Sequence, residues 1–117
     1  MIGQRNRFHG YGSLRAVYQR GRTVRGPLMS LKYNDRGPGR AYRAAVVVSR
    51  KVHKSAVTRN RIRRRLYEII RLADSRLTDH KDLVLTVFSD RAAELESDKL
   101  RAMVEDLLAQ AADPKHR

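Results

Sequence analysis

Cysteine is absent from the 117-residue chain, which excludes a disulfide framework, thiolate zinc sites and a thiol nucleophile, and suits a reducing compartment. Tryptophan is absent too and phenylalanine occurs only twice, so the chain has no basic helix with an exposed Trp/Phe face for lying on a membrane. No apolar run approaches the roughly 20 residues of a membrane span. Met1 to Gly12 lacks the hydrophobic stretch of a secretory signal, and the expected location is the cytoplasm. The four histidines, at 9, 53, 80 and 116, are too scattered to pair at metal-ligand spacing. Acidic residues are also in short supply: 12 Asp+Glu stand against 26 Lys+Arg, a net charge of +14.

A hydrophobic fraction of 41% is enough for the modest core of one domain, so a wholly disordered basic tail is excluded. The charge is unevenly placed. Residues 1–73 hold 19 Lys+Arg and 2 Asp+Glu, a net +17, whereas residues 74–117 hold 7 and 10, a net −3. Density peaks where Arg50, Lys51, Lys54, Arg59, Arg61, Arg63, Arg64 and Arg65 place eight cations in sixteen residues with no acid among them. Such a stretch repels itself unless a polyanion neutralises it, and nucleic acid is the polyanion expected.

Along the chain, residues 1–12 read as a polar, basic, partly flexible arm, 13–112 as one domain and 113–117 as a tail. From Ser13, a possible cap, Leu14, Val17 and Tyr18 recur at helical spacing, and Gly21 is expected to end this helix in the left-handed conformation. Thr23–Arg25 and Leu28–Tyr33 read as strands, followed by the turn-rich segment from Asn34 to Gly39. Tyr42–Ser49 contains Val46-Val47-Val48, the β-branched run of a buried central strand. These three strands suggest a meander. From about Thr58, Ile62, Leu66, Ile69, Ile70 and Ala73 mark one face of a second helix. Asp82–Ser89 is a further strand, and Ser97 through Ala111 carry the stripe of a final helix that Pro114 ends. The order α-β-β-β-α-β-α predicts an α+β two-layer sandwich with a mostly antiparallel sheet and one βαβ crossover.

Hydrolysis by protein side chains requires a nucleophile with its base, paired carboxylates or a metal, and none of these is legible. Ten of the twelve acids follow residue 73, and Asp79/Asp82 and Glu94/Glu96/Asp98 read as loop and surface charges. Gly37-Pro38-Gly39 lacks the Lys-Ser/Thr of a phosphate-binding loop. No catalytic residue, no metal ligand and no cofactor bound by the protein alone is therefore expected. The positive signal is Arg59-Asn60-Arg61 at or near the N-terminus of the second helix, where guanidinium forks and unpaired backbone N–H groups can together hold phosphate. A merely solvated helix face would mix signs for i,i+4 pairing, yet Glu68 is the only acid between Arg36 and Asp74. RNA is favoured over DNA, since no helix-turn-helix or zinc-finger pattern occurs. Phe8, Tyr11, Tyr18, Tyr33 and Tyr42, aromatics suited to stacking single-stranded bases though each taken alone is more often core than platform, all lie in the basic portion.

The string from Ser49 to Arg64, with Arg59-Asn60-Arg61-Ile62-Arg63-Arg64 opening a helix, resembles the signature of the bacterial ribonuclease P protein subunit. The flanks are similar: Asn6-Arg7-Phe8, a short helix ending near Gly21, a Val-rich strand entering the motif, and a later strand followed by a terminal helix. The resemblance covers roughly residues 5–110. It implies the family's sandwich with a left-handed βαβ crossover, and a protein that assists a catalytic RNA in removing the 5′ leader of precursor tRNA, with Mg²⁺ held through the RNA. It further implies RNA contacts from Arg59, Asn60, Arg61, Arg63 and Arg64, with Arg50, Lys51, Lys54 and Arg65 as neighbours. The leader would lie between the sheet and the first helix, against Phe8, Leu14, Tyr18, Met29, Leu31 and Tyr33. Leu14 stands where many members have Phe, and His53 near a position where many have Gly. A ribosomal or RNA-chaperone protein without turnover would share the charge and the aromatics, and the motif in its context separates the two.

Overall fold

The apolar spacing of the sequence is realised as a four-stranded sheet with helices on both faces, in a computed structural model that describes residues 2–112. Helix α1 spans Tyr11–Arg20, and strands β1 (Arg22–Arg25), β2 (Met29–Asp35) and β3 (Arg43–Val48) follow. Helix α2 (Ala56–Leu72), the single turn α3 (Ser75–Thr78), strand β4 (Lys81–Val87) and helix α4 (Ser97–Ala112) complete the chain. Short 3-10 turns occupy Gln4–Asn6 and Asp90–Ala93.

The strand order is β1-β2-β4-β3. β1 and β2 form an antiparallel hairpin and β2 pairs antiparallel with β4, but β3 pairs only with β4, in parallel. The three-strand meander is therefore corrected: β4 inserts between β2 and β3, because α2 carries the chain from β3 back to begin β4 at the same end. The Val46-Val47-Val48 run also proves to be on an edge strand. Its burial alternates, whereas β4 is buried at six of its seven positions. β-Branched residues favour a pleated surface with covered faces, and do not distinguish a central strand from an edge packed under a helix.

On one face Ile62, Leu66 and Ile70 of α2 join Leu100, Val104, Leu107 and Leu108 of α4 over Val24, Leu31, Val46, Leu83 and Leu85, all buried. Helix α1 packs on the other face, against β2 and β4. Val17 and Val84 are fully exposed to neither solvent nor that main core; both are 0% accessible and lie on the α1 side. The α1 C-terminus is set by steric closeness. Gly21 has φ −69° and ψ 156°, so it is extended rather than left-handed, correcting the expected cap. A Cβ there would stand 2.4 Å from the Val17 carbonyl oxygen and 3.0 Å from that of Tyr33, which only glycine avoids.

The N-terminal arm is not free. Ile2 is buried, Asn6 Nδ2 donates to the Tyr42 carbonyl at 2.9 Å, and Arg7 forms a parallel bridge with Ala44. The Val46 N–H donates to the Tyr67 hydroxyl at 3.0 Å, so the β3 edge is closed by the arm and by α2 together. Residues 113–117, read as a tail, lie outside the described residues.

Candidate nucleic-acid interface

Helix α2 starts three residues upstream of Arg59. Ser55 is its cap: the Thr58 N–H donates to Ser55 Oγ at 3.3 Å, and the Ser55 N–H donates to His53 Nδ1 at 3.0 Å. The Arg59 N–H is already bonded to the Ser55 carbonyl at 3.1 Å. Arg59-Asn60-Arg61 thus lies one turn inside the helix, and the expectation that it supplies unpaired backbone donors is corrected. The open first-turn N–H groups belong to Ala56 and Val57, and the triplet has only its side chains to offer a ligand.

Arg50, Lys51 and Lys54 are exposed on the loop entering α2, as are Asn60, Arg61 and Arg64 on the helix, while Arg59 and Arg63 are half-buried. An Arg63 guanidinium N–H donates to Asn60 Oδ1. A groove of about 470 Å³ runs along this face, lined by Val57, Asn60, Arg63, Arg64 and Tyr67. Of the nine residues expected to bind RNA, Asn60, Arg63 and Arg64 line this groove, and Arg50, Lys51, Lys54, Arg59 and Arg61 stand outside it on the loop and helix with at least part of each side chain open to solvent. Arg65 is the exception: it donates to the Ala92 carbonyl at 2.8 Å and to that of Leu95, clamping the 90–95 turn to α2. Its place on the buried side of the charge run was not visible in a string of consecutive arginines.

The six residues expected to hold single-stranded RNA divide between the two faces of the sheet. Phe8 and Leu14 line one cleft of about 320 Å³ with Ile2, Arg7 and Ala45, and the Arg43 guanidinium stacks 5.1 Å from the Phe8 ring centre. Tyr18 is 41% exposed, with the Lys32 ammonium 6.0 Å from its ring centre. Met29, Leu31 and Tyr33 point the other way, into the α2/α4 core, where Met29 and Leu31 are 0% exposed. Their assignment to the cleft is corrected. Side chains alternate along a strand, so the face that β2 shares with α1 carries Ser30, Lys32 and Asn34.

Registers extend that face. Ser30 pairs with Arg25 and Thr86, Lys32 with Thr23 and Val84, and Thr86 with Val47. Just past β4, Phe88 is 41% exposed and lies under the Arg25 guanidinium, 4.7 Å from the ring centre. Lys32 pairs with Val84, four residues before Phe88, so the backbone positions that carry the two cation–aromatic contacts on the sheet lie about 13 Å apart at the usual strand rise. Arg25, Lys32 and Phe88 were missed from sequence. The parity of β2 and β4 was the signal that could have revealed them.

Comparison with known proteins places this geometry. The family model described as Ribonuclease P matches residues 3–112. The chain belongs to the ribonuclease P protein family. The ribonuclease P protein component of Synechococcus elongatus is 37% identical over 114 residues, covering 94% of this chain and 88% of that protein. The component from Pseudanabaena is 39% identical over 87 residues, covering 74% and 75%. Among solved structures, the RNase P protein of Staphylococcus aureus superposes with a TM-score of 0.76 at 21% identity, covering 91% of this chain and 94% of that one. The protein from Thermotoga maritima gives 0.76 at 19%, covering 89% and 96%. These structures share the α+β fold. Membership of the ribonuclease P family implies a role in an endoribonuclease complex with an RNA partner.

Within this family fold, one acid read as a surface charge has a buried structural task. Asp82 is 6% exposed and receives a two-pronged bond from Arg43, Nε to Oδ1 at 2.7 Å and Nη2 to Oδ2 at 2.8 Å. The bond to Asp82 raises the Arg43 pKa above its ordinary value, whereas burial and the nearby Arg43 charge lower that of Arg36, whose Nε is 3.7 Å from Asp82. The pair fixes β3 to β4 at the end where Phe8 stacks on Arg43. Among the described residues, no three His, Asp or Glu side chains converge as metal ligands, and no helix is long and apolar enough to cross a membrane.

Proposed function

We propose that the protein binds the catalytic RNA of ribonuclease P through the loop and helix from Arg50 to Arg64, and the 5′ leader of precursor tRNA along the α1 face of the sheet. The observation that carries this reading is the pair of surfaces just described in a chain of this family. A cationic helix with side chains aimed outward neutralises phosphate, and an adjoining strip with exposed aromatics can accept unstacked bases. Held on one rigid fold, they bring the substrate strand to the RNA and hold it there, so that binding freedom is lost before the chemical step.

On this reading the protein supplies binding and orientation, while phosphodiester hydrolysis belongs to the RNA with the Mg²⁺ it holds. Arg59, Arg61 and Arg64 reduce the repulsion between two polyanions, and Tyr18 with Phe8 and Leu14 contacts the leader. The complex acts in the cytoplasm, where precursor tRNA is made. The deciding experiment measures leader removal from precursor tRNA at low Mg²⁺ by the catalytic RNA, without and with the protein. Stimulation that is lost on Arg59→Ala/Arg61→Ala supports the reading; no stimulation at any salt concentration refutes it.

A further inference from the structure

Arg61 differs from the other cations between residues 50 and 65. Among the described residues it is the one of that segment held in an ion pair, with Nη1 3.4 Å from Glu94 Oε1. The acid is presented by a fixed element. Arg65, one helical turn after Arg61 and on the same side of α2, grips the Ala92 and Leu95 carbonyls on either side of Glu94. The Glu94 and Leu95 N–H groups both donate to the Arg91 carbonyl, at 3.2 and 3.0 Å, and Ser89 Oγ accepts from the Arg91 N–H at 3.3 Å. The main chain that carries the Glu94 carboxylate is thereby fixed beside the guanidinium of the Arg-Asn-Arg triplet.

We infer that Glu94 is a built-in competitor for RNA phosphate at Arg61, a tethered anion that must be displaced before this arginine engages the RNA. Carboxylate and phosphate accept from the same guanidinium fork, so the exchange needs no rearrangement of α2. With Glu94 in place, Arg61 brings little net positive charge to the RNA, and its contact releases fewer counterions than that of an unpaired arginine. Glu94 therefore weakens binding and flattens its salt dependence, tuning the complex toward exchange. The inference rests on the proposal that α2 faces the catalytic RNA.

The test is binding of the full-length protein to the catalytic RNA of the same source, by fluorescence anisotropy across a range of salt. Glu94→Gln is expected to tighten binding about 2–5-fold, the scale of an exposed ion pair, and to steepen the slope of log K against log salt by up to about 0.7–0.9. In an Arg61→Ala background the same substitution should change neither quantity. Glu96→Gln, which removes an equal charge two residues away, should leave the slope unaltered in both backgrounds. Glu94 is 76% exposed in its side chain, so an unchanged thermal midpoint is expected for the variant. Equal tightening by Glu94→Gln in both backgrounds would overturn the inference, since the acid would then act through the general field alone. If Arg64→Ala, which removes an exposed cation of the same helix, left affinity and slope intact, the reading that α2 faces this RNA would fall, and the inference with it.

Discussion

Arg65 is bonded to main chain within the fold, unlike the neighbouring cations proposed to face RNA, and its replacement has a calculable result. Its guanidinium donates to two main-chain carbonyls, that of Leu95 and, at 2.8 Å, that of Ala92, beside the buried Ala92 and Ala93. A hydrogen bond to a charged group contributes about 1.5–3 kcal/mol, and carbonyls left without a donor add to the loss. Arg65 is half-buried, so water replaces part of what is removed. The net cost of Arg65→Ala is then about 2–3 kcal/mol, which for a chain of this size lowers the thermal midpoint by roughly 8–12 °C. Arg65→Lys keeps the charge but not the two-pronged geometry, and should lose most of the same stability. RNA binding below the transition should keep its salt slope in both variants, whereas Arg64→Ala should flatten the slope by about 0.7–0.9 and leave the midpoint within about 2 °C. Thermal unfolding by circular dichroism and RNA titrations at several salt concentrations decide the matter. An unshifted midpoint with a flattened slope for Arg65→Ala would refute the clamp and return this residue to the RNA surface.

Other expectations follow from individual contacts. Gly21→Ala should destabilise by about 1–3 kcal/mol despite an ordinary φ, because its Cβ would collide with the Val17 carbonyl; a neutral result in chemical denaturation would show that α1 can shift. Asp82→Asn leaves Arg43 without its carboxylate beside Arg36 and should cost about 3 kcal/mol, measured the same way; a loss under 1 kcal/mol would mean the pair is dispensable. Tyr18→Ala and Phe88→Ala should each weaken binding of long-leader precursor tRNA by about 1–3 kcal/mol and spare mature tRNA, and equal effects on both RNAs would argue against stacking. The Arg76 bond and the Arg76 N–H hold the Asp74 carboxyl below its ordinary value, so its contribution is present above the unfolded pKa near 4 and disappears as pH falls through the lowered folded value. Asp74→Asn should accordingly remove part of the acid-limb decline of the thermal midpoint, and an unaltered decline would show that this pair does not contribute.

The residue string determined a good deal by itself. Spacing in Ile62–Ala73 and Ser97–Ala111 located two helices, because a helix packed on a core must repeat its apolar residues every three or four positions. Charge counting located the cationic segment for which RNA contact is proposed, since a run of cations without acids has no internal means of neutralisation. Tertiary structure alone decided which cations are available. Arg61, Arg64 and Arg65 lie within five residues, yet one meets Glu94, one faces solvent and one grips two carbonyls from a turn almost thirty residues away. It also decided sheet order and the face of β2, because a one-residue change of parity exchanges the core for the surface, and Met29 and Leu31 fell on the core side. Local sequence expresses periodicity and charge, which are properties of neighbours along the chain. Pairing partners are set by long-range packing, so the insertion of β4, the burial of Asp82 and the division of labour among the arginines became visible only in the fold.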